Sequence, residues 1–266
     1  MNAKQLNILD SELDKPVYRI VDYDRLVQVL KTGKNSFVRT FLWDDPFENL
    51  LTNSEFNKKR GYSISSMKYY TYAQCWSFSE ENDLLWRTYS PNKESVRLKS
   101  TARKLIDSLI NSPIVQRIET NPKRLFDNRE EDEFWDEEIT CFVGKVEYLT
   151  KSEMFNFFRT NYKENNIELY LKSLYIKRRP FRNEEELRIG VYHILALDDK
   201  ILSISDNIFH YEINFNEVFE EIVFDPRISN EKFDGLKEVL KKLKFKNPIL
   251  KSEIYEKPNI SKILNS

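Results

Sequence analysis

The stretch Glu184-Glu185-Glu186-Leu187-Arg188-Ile189-Gly190-Val191-Tyr192 alternates with a period of two. On a strand this sends Leu187, Ile189 and Val191 to one face and Glu186, Arg188, Gly190 and Tyr192 to the other. The first face is core material. The second sets a carboxylate, a guanidinium and a phenol side by side at the mouth of a strand, with Glu184 in line when the strand extends back that far. Such a grouping suits recognition of a sugar and a phosphate. The plainer alternative is an exposed edge, where Glu186 and Arg188 are solvated neighbours contributing under about 1 kcal/mol.

Upstream, Lys177-Arg178-Arg179-Pro180-Phe181-Arg182 offers cations for phosphate or RNA, or equally a solvated basic patch beside the acidic run. Further back, Cys75-Trp76-Ser77-Phe78-Ser79 continues an aromatic, alternating segment from Tyr69, which reads as a strand. Cys75, Ser77 and Ser79 then share a small polar face opposite Trp76 and Phe78. Ser79 suits the N-cap of a following helix that carries Trp86 and Tyr89 into the core and stops at Pro91. Cys75 lacks a nearby base, so a buried structural thiol is its expected role. In Asp44-Asp45-Pro46-Phe47-Glu48, Asp45 suits an N-cap, Pro46 the first helical position and Glu48 the third. The same carboxylates invite a hard cation, although this turn offers few oxygens for one.

The remaining chain mixes strands and helices. A strand at 17–21 leads into a helix capped by Asp22 and ended by Gly33, and a second strand covers 35–39. A helix spans about 100–111, and 128–138 reads as an acidic loop or frayed helix. Strand-like 139–149 precedes two helical pieces within 151–176. Strands follow at 186–195, 208–215 and 219–224, then an amphipathic helix at 231–244 and a strand near 249–255. Without a regular βαβ beat, this order predicts an α+β fold in a single domain over residues 1–266.

Composition narrows the function classes. With 42 Lys plus Arg against 43 Asp plus Glu, the net charge of −1 removes the global basic field of a dedicated duplex-DNA binder. Cys75, Cys141, His193 and His210 are too few and too scattered to write a zinc site, so no metal is expected. The five glycines are isolated from one another, which removes the P-loop and Rossmann fingerprints. Any nucleotide must be held by another device. The N-terminus lacks an apolar signal segment and no run approaches the roughly 18–20 apolar residues of a membrane span, so a cytoplasmic protein is expected.

Taken in order, the boxes resemble a widespread bacterial family catalogued as domain of unknown function twenty-nine seventy-one. Its pattern corresponds here to Tyr18-Arg19, Asp44-Asp45-Pro46-Phe47-Glu48, Cys75-Trp76-Ser77 with Leu84-Leu85-Trp86 and Tyr89, and Lys177 with Phe181, Glu184, Glu186 and Arg188. The resemblance covers about residues 17–256. It departs at Pro91–Leu98, where the family places a Gly-Val strand, and at Asp44, where the family has Asn. The layout is also similar to the ADP-ribosyltransferase fold, a split antiparallel sheet with flanking helices that holds NAD without a glycine loop. That similarity implies Arg19, Ser77 and Arg188 as NAD-binding residues and Glu186 as catalytic, with Glu184 serving the acceptor. It further implies a transferase of the toxin or phage-defence kind that modifies a protein or nucleic acid. The alternative is a non-catalytic module binding a nucleotide, RNA or a partner protein.

Overall fold

The structure is a computed structural model and describes residues 3–53, 67–120, 139–161, 167–193, 204–205 and 207–257. The acidic stretch at 128–138 lies outside the described residues. Thirteen strands are described: β1 (Lys4–Leu6), β2 (Pro16–Asp22), β3 (Lys34–Arg39), β4 (Thr71–Ser77), β5 (Ser95–Thr101), β6 (Ile139–Lys145), β7 (Glu147–Leu149), β8 (Ile176–Arg178), β9 (Glu186–His193), β10 (Ile204–Ser205), β11 (Ile208–Glu212), β12 (Glu221–Phe224) and β13 (Ile249–Lys251). Eleven of them join in one sheet, while β7 and β8 form a parallel pair of their own. The fold is α+β, with a mixed, mainly antiparallel sheet and helices packed around it.

The sheet divides at β4. One edge of β4 pairs with β9 along its whole length, from Thr71 opposite Tyr192 to Ser77 opposite Glu186. The other edge meets β3 at Tyr72 and Ala73, and β2 only at Ser77. From there one arm continues through β3, β11 and β10, and the other through β2, β5, β12 and β13. Between the arms, Gln74, Cys75 and Trp76 have no neighbouring strand on that edge. A buried amide holds the gap: Gln74 Nε2 donates to Asn35 Oδ1 and the Ser36 carbonyl, both at 3.1 Å, and Gln74 Oε1 accepts from Trp76 Nε1 at 2.8 Å.

The two faces of β9 bury different material. Leu187, Ile189 and Val191 join the larger apolar core with Leu26, Phe37, Trp76 and Leu105, each contributing about 1.5–3 kcal/mol by burial. Tyr192 packs with Ala73, Phe142, Tyr170 and Tyr175 on the opposite face. All eight residues of the strand are buried, and β6 and β4 flank it, so the exposed-edge alternative is excluded. Gly190 is required here, because a Cβ would collide with the Tyr72 carbonyl and the Phe142 ring.

Helix Tyr23–Thr32 buries Leu26, Val29 and Leu30 and ends on Gly33 at φ 66°, the left-handed position that glycine tolerates. Two expected caps shift. The helix after β4 spans Asp83–Tyr89 and is capped by Asn82, whose Oδ1 accepts from the Leu85 amide at 3.1 Å, not by Ser79. The Ser79 amide is already taken by Ser77 Oγ at 3.0 Å. Asp45 does accept the Phe47 amide at 3.0 Å, but it caps a turn, and the regular helix begins only at Leu50. The strand β5 falls within and beyond the departing segment 91–98 and seats itself between β2 and β12. Among the described residues no helix is long and apolar enough to cross a membrane.

Candidate active site

A cleft of about 660 Å³ opens at the fork, within the size range of small-molecule sites. It is lined by β4 from Ala73 to Ser77, by Arg19 and Ile20 of β2, by the Trp43–Glu48 turn, and by Tyr89, Lys177, Glu184, Glu186 and Arg188. All five residues singled out in the sequence, Arg19, Ser77, Glu184, Glu186 and Arg188, therefore border one space. Directly paired residues share a face of the sheet. Cys75 opposite Arg188, Ser77 opposite Glu186 and Tyr18 opposite Ser77 thus project to the cleft side. Arg19, the next residue after Tyr18, alternates to the other side and reaches the cleft through the gap between the arms.

Glu186 is the centre of a charge network. Arg188 Nε donates to its Oε1 at 2.8 Å and Arg188 Nη2 to its Oε2 at 3.0 Å, while Lys177 Nζ lies 3.1 Å from Oε2. The Cys75 thiol donates to the same carboxylate. Burial alone raises the Glu186 carboxyl, but Arg188 and Lys177 outweigh it and bring it down to about 2. Burial, reinforced by Glu186, pushes the Cys75 thiol well up, so it is a proton donor and not a nucleophile.

Arg188 is fully buried and spends its donors within the protein. Besides Glu186 it donates to Glu48 and to the Leu174 carbonyl, and the Trp43 ring covers it at 4.2 Å. Its two bonds to Glu186 hold that carboxylate in place beside the cleft, which Arg188 also lines. Glu48, read from sequence as a capping residue, is buried on Arg188 and on Lys177 at 3.4 Å. Asp45 meets Arg178 at 3.1 Å. With those carboxylates engaged, no cluster of metal-ligating side chains exists among the described residues.

Glu184 stands nearer the mouth, its side chain 19% exposed, held by Lys177 at 2.6 Å and by the Tyr89 hydroxyl at 3.3 Å. Ser77 Oγ donates to the Glu184 carbonyl at 2.6 Å, and the Phe78 amide donates to the Glu185 carbonyl at 2.9 Å. These bonds staple the acidic turn to β4 while Glu185 adopts φ 41°. Ser77 is therefore a buttress for Glu184. Tyr89, expected in the core, is 45% exposed on the cleft wall.

Arg19 differs from every other cation of the cleft. Its half-buried guanidinium makes no hydrogen bond and no ion pair among the described residues, and burial lowers it to about 10. Lys177 and Arg178, part of the basic cluster, turn inward onto Glu184, Glu186 and Asp45. Sequence reasoning missed Glu48, Lys177 and Trp43 as parts of the network. Glu48 reaches Arg188 across 140 positions, which leaves no local pattern, while Lys177 reaches Glu184 and Glu186 from within the same segment of chain.

No family model matches the chain, and no curated protein matches it. The three boxes thus resemble the bacterial family named above without placing the chain in it. Among solved structures the chain is similar to Thermus sp. 2.9 DarT in complex with NAD+, at 12% identity and a TM-score of 0.36, covering 90% of this chain and 96% of that one. The same protein in complex with carba-NAD+ gives 12% and 0.35, and in complex with ADP-ribosylated ssDNA 12% and 0.37. Superpositions this loose assign no residues, and the roles of the cleft side chains rest on their own geometry.

Proposed function

We propose that the fork cleft binds NAD as a substrate and transfers its ADP-ribose to an acceptor, in the manner of an ADP-ribosyltransferase. The observation that carries this reading is the meeting, in one cleft, of an unpaired guanidinium at Arg19 and a locked, ionised carboxylate at Glu186. An orphan cation in a half-buried gap is a counter-charge awaiting an anion, and a pyrophosphate supplies one without any glycine loop.

The chemistry follows from the charges. The bond between ribose C1′ and the nicotinamide nitrogen breaks, its electron pair neutralises the pyridinium ring, and a nucleophile of the acceptor bonds to C1′ and releases its proton. Positive charge grows on the ribose as the first bond breaks, and a fixed anion beside it lowers the barrier. Glu186, with a pKa near 2, serves as that fixed anion and not as a proton carrier. Glu184, partly exposed between Lys177 and Tyr89, faces the incoming acceptor. Since NAD is an intracellular substrate, the cytoplasm is the compartment we assign. A toxin or phage-defence effector acting on a protein or nucleic acid is the biological role in keeping with such chemistry.

The test is incubation of wild type and Glu186→Gln with NAD and candidate acceptors, following nicotinamide release and, by calorimetry, NAD binding. Absence of both for the wild type under every condition would sink the reading. One observation favours a second reading: Glu186 is already saturated by Arg188, Lys177 and Cys75, as a purely structural carboxylate would be. A non-catalytic nucleotide-binding module predicts NAD binding that survives Glu186→Gln with no turnover in either protein.

A further inference from the structure

One oxygen of Glu48 draws on the same two donors as the carboxylate of Glu186. Glu48 Oε1 accepts from Arg188 Nη2 and lies 3.4 Å from Lys177 Nζ. Those cations also grip Glu186, and both on one atom: Arg188 Nη2 lies 3.0 Å and Lys177 Nζ 3.1 Å from Oε2. The four side chains are between 1% and 11% exposed, so water screens this competition little. Nothing in the NAD reading of the cleft uses Glu48.

The turn that delivers Glu48 is itself tied down. Asp45 accepts the Phe47 amide at 3.0 Å and meets Arg178 at 3.1 Å, and the Arg178 guanidinium covers the Phe47 ring at 4.6 Å. Nη1 of Arg188 donates to the Leu174 carbonyl, so three separate parts of the chain fix that guanidinium: β9, the Leu174 turn and the first box. The network among the described residues holds three carboxylates, Glu48, Glu184 and Glu186, and two cations, Lys177 and Arg188. One negative charge is therefore in excess. Without Glu48, two cations would meet two carboxylates, and no excess would face a cation forming in the cleft.

We propose that Glu48 is a positioning residue: by sharing Arg188 and Lys177 with Glu186 it fixes that carboxylate and keeps its negative charge from being cancelled. The proposal rests on the NAD reading of the fork cleft for its meaning in catalysis. It gives the first box a use that neither capping nor cation binding supplies. Cys75 reports the same field independently of NAD. Burial, then Glu186 and Glu48, push its half-buried thiol up, and Arg188 opposes them. Arg19, Tyr89 and Tyr175 are the other titratable side chains that feel its charge.

The experiment compares wild type, Glu48→Gln, Glu48→Asp and Phe47→Leu. It follows alkylation of Cys75 by iodoacetamide at alkaline pH, read by mass spectrometry, together with nicotinamide release and NAD calorimetry. Glu48→Gln should alkylate about threefold or more faster, because the thiolate loses a like charge. Its kcat should fall about tenfold or more while NAD, which bears a net negative charge, binds as well or more tightly. Glu48→Asp keeps the charge and should alkylate within about twofold of wild type, while its shorter reach releases Arg188 and lowers kcat by a smaller factor. Phe47→Leu loosens the same turn but keeps every charge, and both its rates should stay within about twofold of wild type. Wild-type alkylation or kcat in Glu48→Gln, or a kcat loss matched by an equal loss of NAD affinity, would overturn the proposal. So would equal defects in Glu48→Gln and Phe47→Leu, or a Glu48→Asp that alkylates as fast as Glu48→Gln. Faster alkylation of Glu48→Gln, with neither NAD binding nor nicotinamide release by wild type, would keep Glu48 as the residue that sets the field at Glu186 and reject the transferase.

Discussion

Arg188 grips Glu186 at two points, Nε to Oε1 at 2.8 Å and Nη2 to Oε2 at 3.0 Å, from only two residues further along the same strand. Side chains at that spacing share a face, so β9 orients its own carboxylate without help from a loop. Glu186→Gln removes the charge and keeps the shape. Turnover should fall by about 10²-fold or more while NAD affinity changes far less, as nicotinamide release and calorimetry would show. Leaving Arg188 and Lys177 short of an anion should also cost on the order of 3 kcal/mol in urea unfolding.

Arg19 presents the opposite case. A half-buried cation without a counter-ion strains the apo fold, so Arg19→Gln should leave the melting temperature unchanged or raise it. The same substitution should weaken NAD binding by about tenfold or more, since a charge-assisted contact to phosphate is lost. A variant that melts earlier and binds NAD normally would contradict both halves.

His193 makes stability sensitive to acid. It is buried against Tyr70 and Tyr72, and neither ring nitrogen has a hydrogen-bond partner among the described residues. Burial, with Arg39 adding to it, lowers its pKa from 6.5 to about 4. The unfolded chain therefore binds the extra proton first, and stability should decline as pH falls from about 6.5 toward 4, by on the order of 2–3 kcal/mol. Glu186, depressed from 4.5 to about 2, adds a further loss below pH 4.5. Urea titrations at pH 7 and pH 5 should show the first loss in wild type and its absence in His193→Phe.

Gly190→Ala should destabilise by about 1–3 kcal/mol or more, because the Tyr72 carbonyl belongs to a paired backbone and cannot retreat. The matched control is Gly235→Ala on helix Asn230–Lys242, where a Cβ meets open space and helix propensity improves by up to about 1 kcal/mol. Thermal unfolding of the two variants should move in opposite directions.

Turnover should also be indifferent to a chelator. Asp45 and Glu48, two of the three carboxylates of the first box, are held by Arg178, Arg188 and Lys177. Activity that vanishes with EDTA and returns with magnesium would instead place a hard cation on the carboxylates of that box.

The strands that carry the site were legible because their alternation is local: β2, β4 and β9 are each read from consecutive residues. Strand β5 was not read, although Val96, Leu98 and Ser100 keep the period of two, because the segment Pro91–Leu98 departs from the Gly-Val strand of the family it resembles. What sequence could not convey was the destination of the charges. Glu48 has the spacing of a cap and becomes a counter-ion, and Lys177 sits in a basic run yet turns inward. The first outcome is set by pairing with Arg188 across 140 positions, where one-dimensional pattern is silent, and the second by a turn that folds Lys177 back onto Glu184 and Glu186. The fork itself is equally non-local, since nothing near Gln74 announces that two strands will part beside it.

The fork also fixes when the site can exist during synthesis. Arg19 and β4 leave the ribosome early, but β9, which lies between β4 and β6 and carries both Glu186 and Arg188, comes more than a hundred residues later. A nascent chain that has not yet delivered β9 has one wall of the cleft and no carboxylate at its centre. Products that end before β9 therefore lack the candidate site, which is complete only once the chain has been made as far as His193.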